Sequence, residues 1–338
     1  MGPTIGGEAP NPGRIFEVLM GFRESAALKS AIELGVFSAI AEGTSTAGEI
    51  GVKCGAAERG IRILCDTLVT MDFLHKDGAA YSNSMNAGIF LDKKSPAYMG
   101  GIAGFLFAPD MVQSTLSTMT DCVRKGGTVM PGEGTVDPDN PLWVAFAEAM
   151  GPMMMPASMA IAAQVPASGP LTVLDIAAGH GLFGIQIAKR NPEAEIVALD
   201  WKAVLEVAQR HAREAGVGDR YSTLAGSAFD VDFGEGYDVV LVTNFLHHFN
   251  AATNTELLRK VHAALRPGGV AITLEFVPDA SRVTPVMPAR FALTMLTGTQ
   301  EGDAYTFAEL EKMASDAGFS HSVQHLIETK QSVIISTK

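Results

Sequence analysis

The tightest constraint on this chain lies in its second half. There Thr172-Val173-Leu174-Asp175-Ile176-Ala177-Ala178-Gly179-His180-Gly181-Leu182-Phe183-Gly184 leads into a helical pattern from Ile185 to Arg190, then a second apolar run, Glu195-Ile196-Val197-Ala198-Leu199-Asp200. A β-branched run, a glycine turn, a helical pattern and a further apolar run ending in a carboxylate predict the strand, loop, helix and strand of one βαβ unit. Its glycines let backbone approach a ligand at the helix N-terminus. Gly179-x-Gly181-x-x-Gly184 has the spacing of the dinucleotide fingerprint, and Asp200 falls about 20 residues beyond the turn, where a ribose-binding acid belongs.

Asp175 separates the candidate ligands. A pyrophosphate wants bare N–H groups and a helix dipole at this place, and a carboxylate ahead of the glycines opposes it. S-adenosylmethionine carries an ammonium and a sulfonium but no phosphate, and it shares with NAD the adenosine whose ribose hydroxyls Asp200 can hold. The charge pattern favours it over a nicotinamide oxidoreductase.

With 338 residues the chain is long for one domain and comfortable for two. Its apolar content is 47% and its mean hydropathy +0.19, yet glycine, proline or charge interrupts every apolar run before it reaches membrane-spanning length, so no membrane association is expected. The start, Met1 to Pro10, has neither a basic flank nor an apolar core and reads as a disordered leader. Cys54, Cys65 and Cys122 have no metal or redox spacing and are odd in number, which fits a reducing cytoplasm. A net charge of −12 argues against nucleic acid as the main partner.

Arg14 to Ala41 predicts a helix broken at Gly35 and apolar on more than one face, which a partner subunit or the rest of the chain must cover. Two further helices, around 46–50 and 56–71, and a hairpin turning at Asp77-Gly78 make a winged-helix pattern. Only Arg59 and Arg62 offer cations on its second helix, so a structural or dimerising module is favoured over a DNA-binding one. Residues 97–125 read as helical and 126–140 as a surface loop or cleft rim. Trp143, Phe146, Met150, Met153, Met154, Met155 and Met159 then crowd one stretch, as core filler or as the soft wall of an apolar cleft. Beyond Asp200 the βα alternation continues: helix 202–215, strand 221–224, the turn Gly226-Ser227-Ala228-Phe229, strand 237–243, helix 255–265, strand 270–275. This predicts a parallel, doubly wound sheet. A helix over 306–317 and an antiparallel hairpin, 321–327 with 333–336, complete it at the sheet's edge.

These residues resemble a known family. Val173-Leu174-Asp175-Ile176-Ala177-Ala178-Gly179-His180-Gly181, the acidic Asp200, Asn244-Phe245-Leu246-His247-His248-Phe249, Leu265-Arg266-Pro267-Gly268-Gly269, Tyr305-Thr306-Phe307 and Ala317-Gly318-Phe319 follow one another as in the class I S-adenosylmethionine-dependent O-methyltransferases of the plant caffeate type and their bacterial natural-product relatives. The resemblance implies a leader over 1–12, a winged-helix-like domain over 13–95 that forms a homodimer, a helical linker and substrate-cleft segment over 96–165, and a Rossmann-like catalytic domain over 166–338, with the substrate between the domains. It places Asp175, Ala177, Gly179 and Gly181 at the methionine end of the cofactor, Asp200 on the ribose, Trp201 beside the adenine, and Ser227, Ala228, Phe229 and Asn244 elsewhere along the cofactor. The base falls on His247, with Glu275 orienting it. Phe146, Met150, Met154, His248, Phe291 and Met295 would line the acceptor.

Methyl transfer from a sulfonium is an in-line displacement on an activated electrophile, so the enzyme mainly aligns the acceptor and removes its proton. A phenol has a pKa of about 10 and imidazole about 6.5, so a neutral histidine can take that proton as the oxygen attacks, without a metal. Four departures from the family pattern bear on the details. Ala177 and Ala178 stand where glycine is usual, Ser227 where an aspartate often reaches the adenine, and Thr243 where a lysine often precedes the base motif. Ala304 takes the place of a second orienting glutamate, with Glu301 and Asp303 as possible substitutes. The expected activity is O-methylation of an apolar small molecule, with an aromatic one expected. Its alternatives are C-methylation, a non-methylating cofactor binder and a winged-helix regulator.

Overall fold

The structure, a computed structural model, describes residues 10–137 and 142–338. Residues 1–9 of the expected leader and 138–141 of the expected loop lie outside the described residues. The chain divides into two compact units, up to Ala103 and from Gly104 onward.

In the first unit, α1 (Gly13–Leu34) ends where Gly35 takes a left-handed φ of 74°, and α2 (Val36–Ala41) follows, as the sequence predicts. A helix cannot pass such a residue. Then come α3 (Ala47–Cys54), started by a Thr46–Glu49 capping box, and α4 (Glu58–Thr70). Next are β1 (Leu74–Asp77) and β2 (Ala80–Asn83), an antiparallel hairpin, and α5 (Met85–Phe90). Asp66 on α4 binds Arg62, Lys76 and the Tyr81 hydroxyl, which ties helix to wing and engages one of the two cations a DNA-binding reading would need. Along α1 the side chains of Ile15, Phe16, Val18, Leu19 and Phe22 are each more than half exposed.

The segment expected as one helical stretch over 97–125 is broken. It forms α6 (Ile102–Leu106), α7 (Pro109–Val112), a π-helical turn (Gln113–Ser117) and α8 (Met119–Lys125). Pro109 lacks the N–H that a continuing helix requires and starts a new one instead. The expected surface loop after it is partly buried: the Thr128 and Thr135 hydroxyls donate to the carbonyls of Thr297 and Gly298. Next come α9 (Leu142–Ala149) and α10 (Gly151–Ala162), bent by 70° at their junction. Among the described residues no single helix is long and apolar enough to cross a membrane.

The sheet then builds from β3 (Leu171–Ile176), α11 (Leu182–Arg190), β4 (Ala194–Asp200), α12 (Lys202–Glu214), β5 (Tyr221–Ala225), β6 (Tyr237–Thr243), α13 (Ala251–Ala264) and β7 (Leu265–Glu275). It closes with α14 (Val286–Gly298), which the sequence reading does not foresee, α15 (Phe307–Asp316), β8 (His321–Leu326) and β9 (Ser332–Thr337). The order is β5-β4-β3-β6-β7-β9-β8, parallel from β5 to β7, with β9 antiparallel between β7 and β8. This is the predicted mostly parallel sheet with an antiparallel terminal hairpin. Helix α13 starts four residues earlier than expected because the Asn250 side chain caps it by accepting from Thr253 N–H.

The glycine turn is held from below. A Cβ on Gly184 would come within 2.7 Å of Ile196, and one on Gly181 within 2.7 Å of the Tyr221 hydroxyl, so both glycines serve close packing against β4, β5 and α12. Asp175, placed by sequence at the cofactor's methionine end, is wholly buried. One carboxylate oxygen accepts from Gly184 N–H at 3.1 Å, while the other has no partner among the described residues. Its charge therefore acts first on the N-terminus of α11. Burial raises its pKa to about 7, and the nearby Asp200 adds to the rise. Between the ordinary carboxylate range and pH 7 the folded Asp175 keeps a proton that the unfolded chain has lost, so this group makes stability fall as pH rises through that window. Asp175→Asn retains an acceptor for Gly184 N–H and removes the ionisation. Thermal unfolding of the ligand-free protein at pH 5 and pH 8 is expected to show a stability loss smaller in the variant by about 2–4 kcal/mol. Equal pH slopes would contradict this.

Candidate functional site

The second unit gathers the expected site residues along the carboxyl ends of its parallel strands, where ligands bind in open α/β sheets. Asp200 ends β4, half-buried. One of its oxygens accepts from Gly179 N–H at 2.8 Å and the other from Trp201 N–H at 2.7 Å, which orients the carboxylate and leaves lone pairs for two hydroxyls. Burial raises its pKa to about 6, against the pull of those two N–H groups.

Gly179, unlike Gly181 and Gly184, faces open space: a Cβ there would find nothing nearer than the Ala177 carbonyl at 3.9 Å, and its φ is +56°. Ala177 holds a φ of +53°, so alanine occupies the left-handed conformation usually left to glycine. A bare turn, an oriented half-buried carboxylate and a helix N-terminus fit the adenosyl half of S-adenosylmethionine. Trp201, the first residue ahead of α12, packs with Trp143 and Val144 against Ala147, Val204 and Val207. The Ser227 hydroxyl accepts from Phe229 N–H. Ala228 is buried in the core, and Phe229 stacks edge-on against Phe249. Lys260 holds this turn by donating to the carbonyls of Ala228, Phe229 and Val231.

Asn244 and His247 leave the end of β6 on a 3₁₀ turn, Leu246–His248. Sheet register puts Thr243 opposite Leu274, and so brings Glu275 alongside. The buried Glu275 carboxylate accepts three N–H groups: the backbone of Phe245 at 3.1 Å, the backbone of His247 at 3.3 Å and His247 Nδ1 at 2.7 Å. With Nδ1 as donor, the neutral ring carries its lone pair on Nε2. Sequence reasoning misses two further supports of this turn. Asn254, wholly buried on α13, donates to the carbonyls of Leu246 and Phe249, and the Tyr305 hydroxyl donates to Phe249 at 2.6 Å. A buried asparagine in a helix interior is the only signal the sequence carries for the first.

Neither suggested substitute for the second orienting acid reaches His247 by hydrogen bond or ion pair. Glu301 accepts from Asn250, Asp303 pairs with Arg282, and Ala304 is buried. Rings surround the base instead. Phe291 meets His247 edge-on at 4.8 Å and stacks on Phe276, and His248 lies 4.3 Å from His247. His248 in turn meets Trp143 at 5.4 Å, and Trp143 meets Phe146 at 5.7 Å. Burial, with His247 beside it, pushes the His248 pKa well below the usual value, so its ring stays neutral. Met150, Met154 and Met295 are buried on α10's approach, on α10 and on α14. His248 Nδ1 and Thr243 Oγ1 are buried without a hydrogen-bond partner among the described residues.

Comparison with known proteins identifies the family. An O-methyltransferase domain family matches residues 139–320, and an O-methyltransferase dimerisation domain family matches residues 16–93. The tetracenomycin polyketide synthesis 8-O-methyl transferase of Streptomyces glaucescens is 28% identical over 315 residues, covering 91% of each chain. A crystal structure of a protein assigned to the O-methyltransferases from Nostoc punctiforme is 47% identical, covers 98% of this chain and all of its own, and superposes with a TM-score of 0.94. Human N-acetylserotonin methyltransferase in complex with S-adenosylmethionine shares the fold at 21% identity, covering 99% of each chain with a TM-score of 0.84. The chain belongs to the O-methyltransferase family: it is an S-adenosylmethionine-dependent methyltransferase, a Rossmann-like catalytic domain preceded by a helical dimerisation domain.

Proposed function

We propose that this enzyme methylates the hydroxyl of an apolar, aromatic small molecule, with His247 as general base and Glu275 fixing its tautomer. The observation that carries the reading is the buried 2.7 Å contact between His247 Nδ1 and Glu275. Bound S-adenosylmethionine supplies a methyl group already activated by its sulfonium. Asp200 would hold the ribose, and the turn from Ala177 to Gly179 would border the methionyl half. His247 Nε2 accepts the hydroxyl proton as the acceptor oxygen becomes nucleophilic, and the carboxylate at Nδ1 stabilises the imidazolium that results. Rings at Phe291, His248, Trp143 and Phe146 suit a flat acceptor, and Met150 and Met154 adapt to its outline. The Streptomyces relative is named for 8-O-methyl transfer in polyketide synthesis, which is methylation of oxygen.

His247→Ala is expected to lower kcat by 10²–10⁴-fold on an identified phenolic acceptor while calorimetric affinity for S-adenosylmethionine stays within about twofold. Glu275→Gln, which keeps one acceptor oxygen but cannot serve all three N–H groups, should lower kcat less. Near-full turnover by His247→Ala would remove the base assignment, and a product methylated on carbon would move the reaction to an enol or an activated ring position. Asp200→Ala should weaken cofactor binding, and unchanged affinity would sink the ribose assignment.

The dimerisation domain implies a homodimer, and the exposed apolar row of α1 is the surface we assign to it. Replacing Phe16 and Leu19 by aspartate is expected to halve the mass seen by light scattering. A dimer that survives both substitutions would place the interface elsewhere. A cytoplasmic location suits the free thiols of Cys54, Cys65 and Cys122, of which burial pushes Cys65 up to about 12.

A further inference from the structure

The tip of the C-terminal hairpin reaches the reaction centre. Strand β9 begins at Ser332, opposite Glu275, so Gln331 stands one residue beyond the end of β7 and beside Asn244 at the end of β6. Gln331 is 2% exposed. Its Nε2 donates to Asn244 Oδ1 at 2.7 Å, and its own Oε1 accepts from the Thr329 hydroxyl at 3.5 Å. These two bonds give the side chain a direction. In this arrangement the nitrogen of Gln331 faces Asn244 and the oxygen of Asn244 faces Gln331.

Asn244 Nδ2 is thereby turned the other way, toward Met154 Sδ at 3.8 Å, its one hydrogen-bond contact among the described residues. A thioether is a weak acceptor. The backbone of Asn244 is constrained as well: φ is +52°, a left-handed conformation that asparagine tolerates better than most residues, and its N–H donates to the Leu274 carbonyl.

We propose that Gln331 is a positioning residue that locks the Asn244 carboxamide with its N–H₂ toward the cleft, as a donor for the carboxylate of the cofactor's methionyl group. The inference rests on the proposed placement of the cofactor. If Asp200 on β4 holds the ribose and the methyl group must arrive beside His247 on the β6 turn, the methionyl half crosses β3 toward β6, since the strands run β4-β3-β6. An amide nitrogen there attracts a carboxylate, and an amide oxygen would repel it.

The test is calorimetric binding by three probes: S-adenosylmethionine, S-adenosylhomocysteine and 5′-methylthioadenosine, which keeps the adenosyl half and lacks the carboxylate. Gln331→Met preserves volume and removes the donor. It is expected to weaken the first two probes about tenfold, the loss appropriate to a hydrogen bond to a charged group, and to leave the third unchanged. Asn244→Gly suits the left-handed backbone, deletes the carboxamide, and should show the same selective loss. Combined with it, Gln331→Met should add nothing. Asn244→Asp, which still accepts from Gln331 but turns an oxygen to the cleft, serves if Gln331→Met fails to fold, and should again spare only methylthioadenosine.

Equal weakening of all three probes would mean a general structural role and overturn the proposal, as would unchanged binding of S-adenosylmethionine or a further loss in the double variant. If instead Asp200→Ala leaves every affinity unchanged, the cofactor placement itself is wrong. None of these readings depends on His247, so failure of the general-base assignment is told apart from failure of this one.

Discussion

Glu275 is a carboxylate removed from water at the end of a central strand, and such a group is tolerated inside a protein only when hydrogen bonds replace its hydration. Here the replacement comes from one short stretch. Two backbone N–H groups and one imidazole N–H, all from residues 245–247, converge on it. Satisfying the charge and shaping the turn that carries the proposed base are thus one requirement. The parallel register of β6 and β7 brings the two together, and Asn254 and Tyr305 hold the far side of the turn by its carbonyls. The base geometry is in this sense a property of the sheet, which a change confined to the cleft would leave standing.

The glycine turn divides its work along similar lines. Gly181 and Gly184 allow β4, β5 and α12 to close in beneath the loop, and Gly179 leaves the upper side open. The two acids near it also differ. Asp175 is sealed under the helix N-terminus, its unpartnered oxygen and the unpartnered Tyr221 hydroxyl both buried below the turn, whereas Asp200 is held by two backbone N–H groups with one side toward the cleft. The preference for a sulfonium cofactor over a pyrophosphate is therefore exerted through the helix N-terminus, without an exposed carboxylate at Asp175. Asp175 disfavours a second anion at that helix while presenting no exposed surface itself.

Much of the fold was legible because its signals are local. Alternating apolar runs and helical periods marked every strand of the large sheet, and Gly35 marked a helix break. Local signals failed where tertiary contacts decide. The 97–125 stretch is apolar enough for one helix and is broken by Pro109 and a π turn. The 126–137 segment is polar enough for a surface loop, yet it is stitched to the end of α14 by two buried threonines. Glu301 and Asp303 lie close in sequence to the expected second acid, but Asn250 and Arg282 engage them.

What the sequence by itself determined is the order of elements, the glycine turn with its acid, and the identity of the histidine and glutamate that meet. These are carried by periodicity and by short motifs, whose meaning does not depend on distant residues. Only the tertiary structure decided which glycines pack and which stays open, which acids face the cleft, and which way the Asn244 carboxamide points. Gln331 lies 87 positions from Asn244, and no local pattern links them. Sheet register makes them neighbours, and the hydrogen bond between them is a contact that only the folded chain creates.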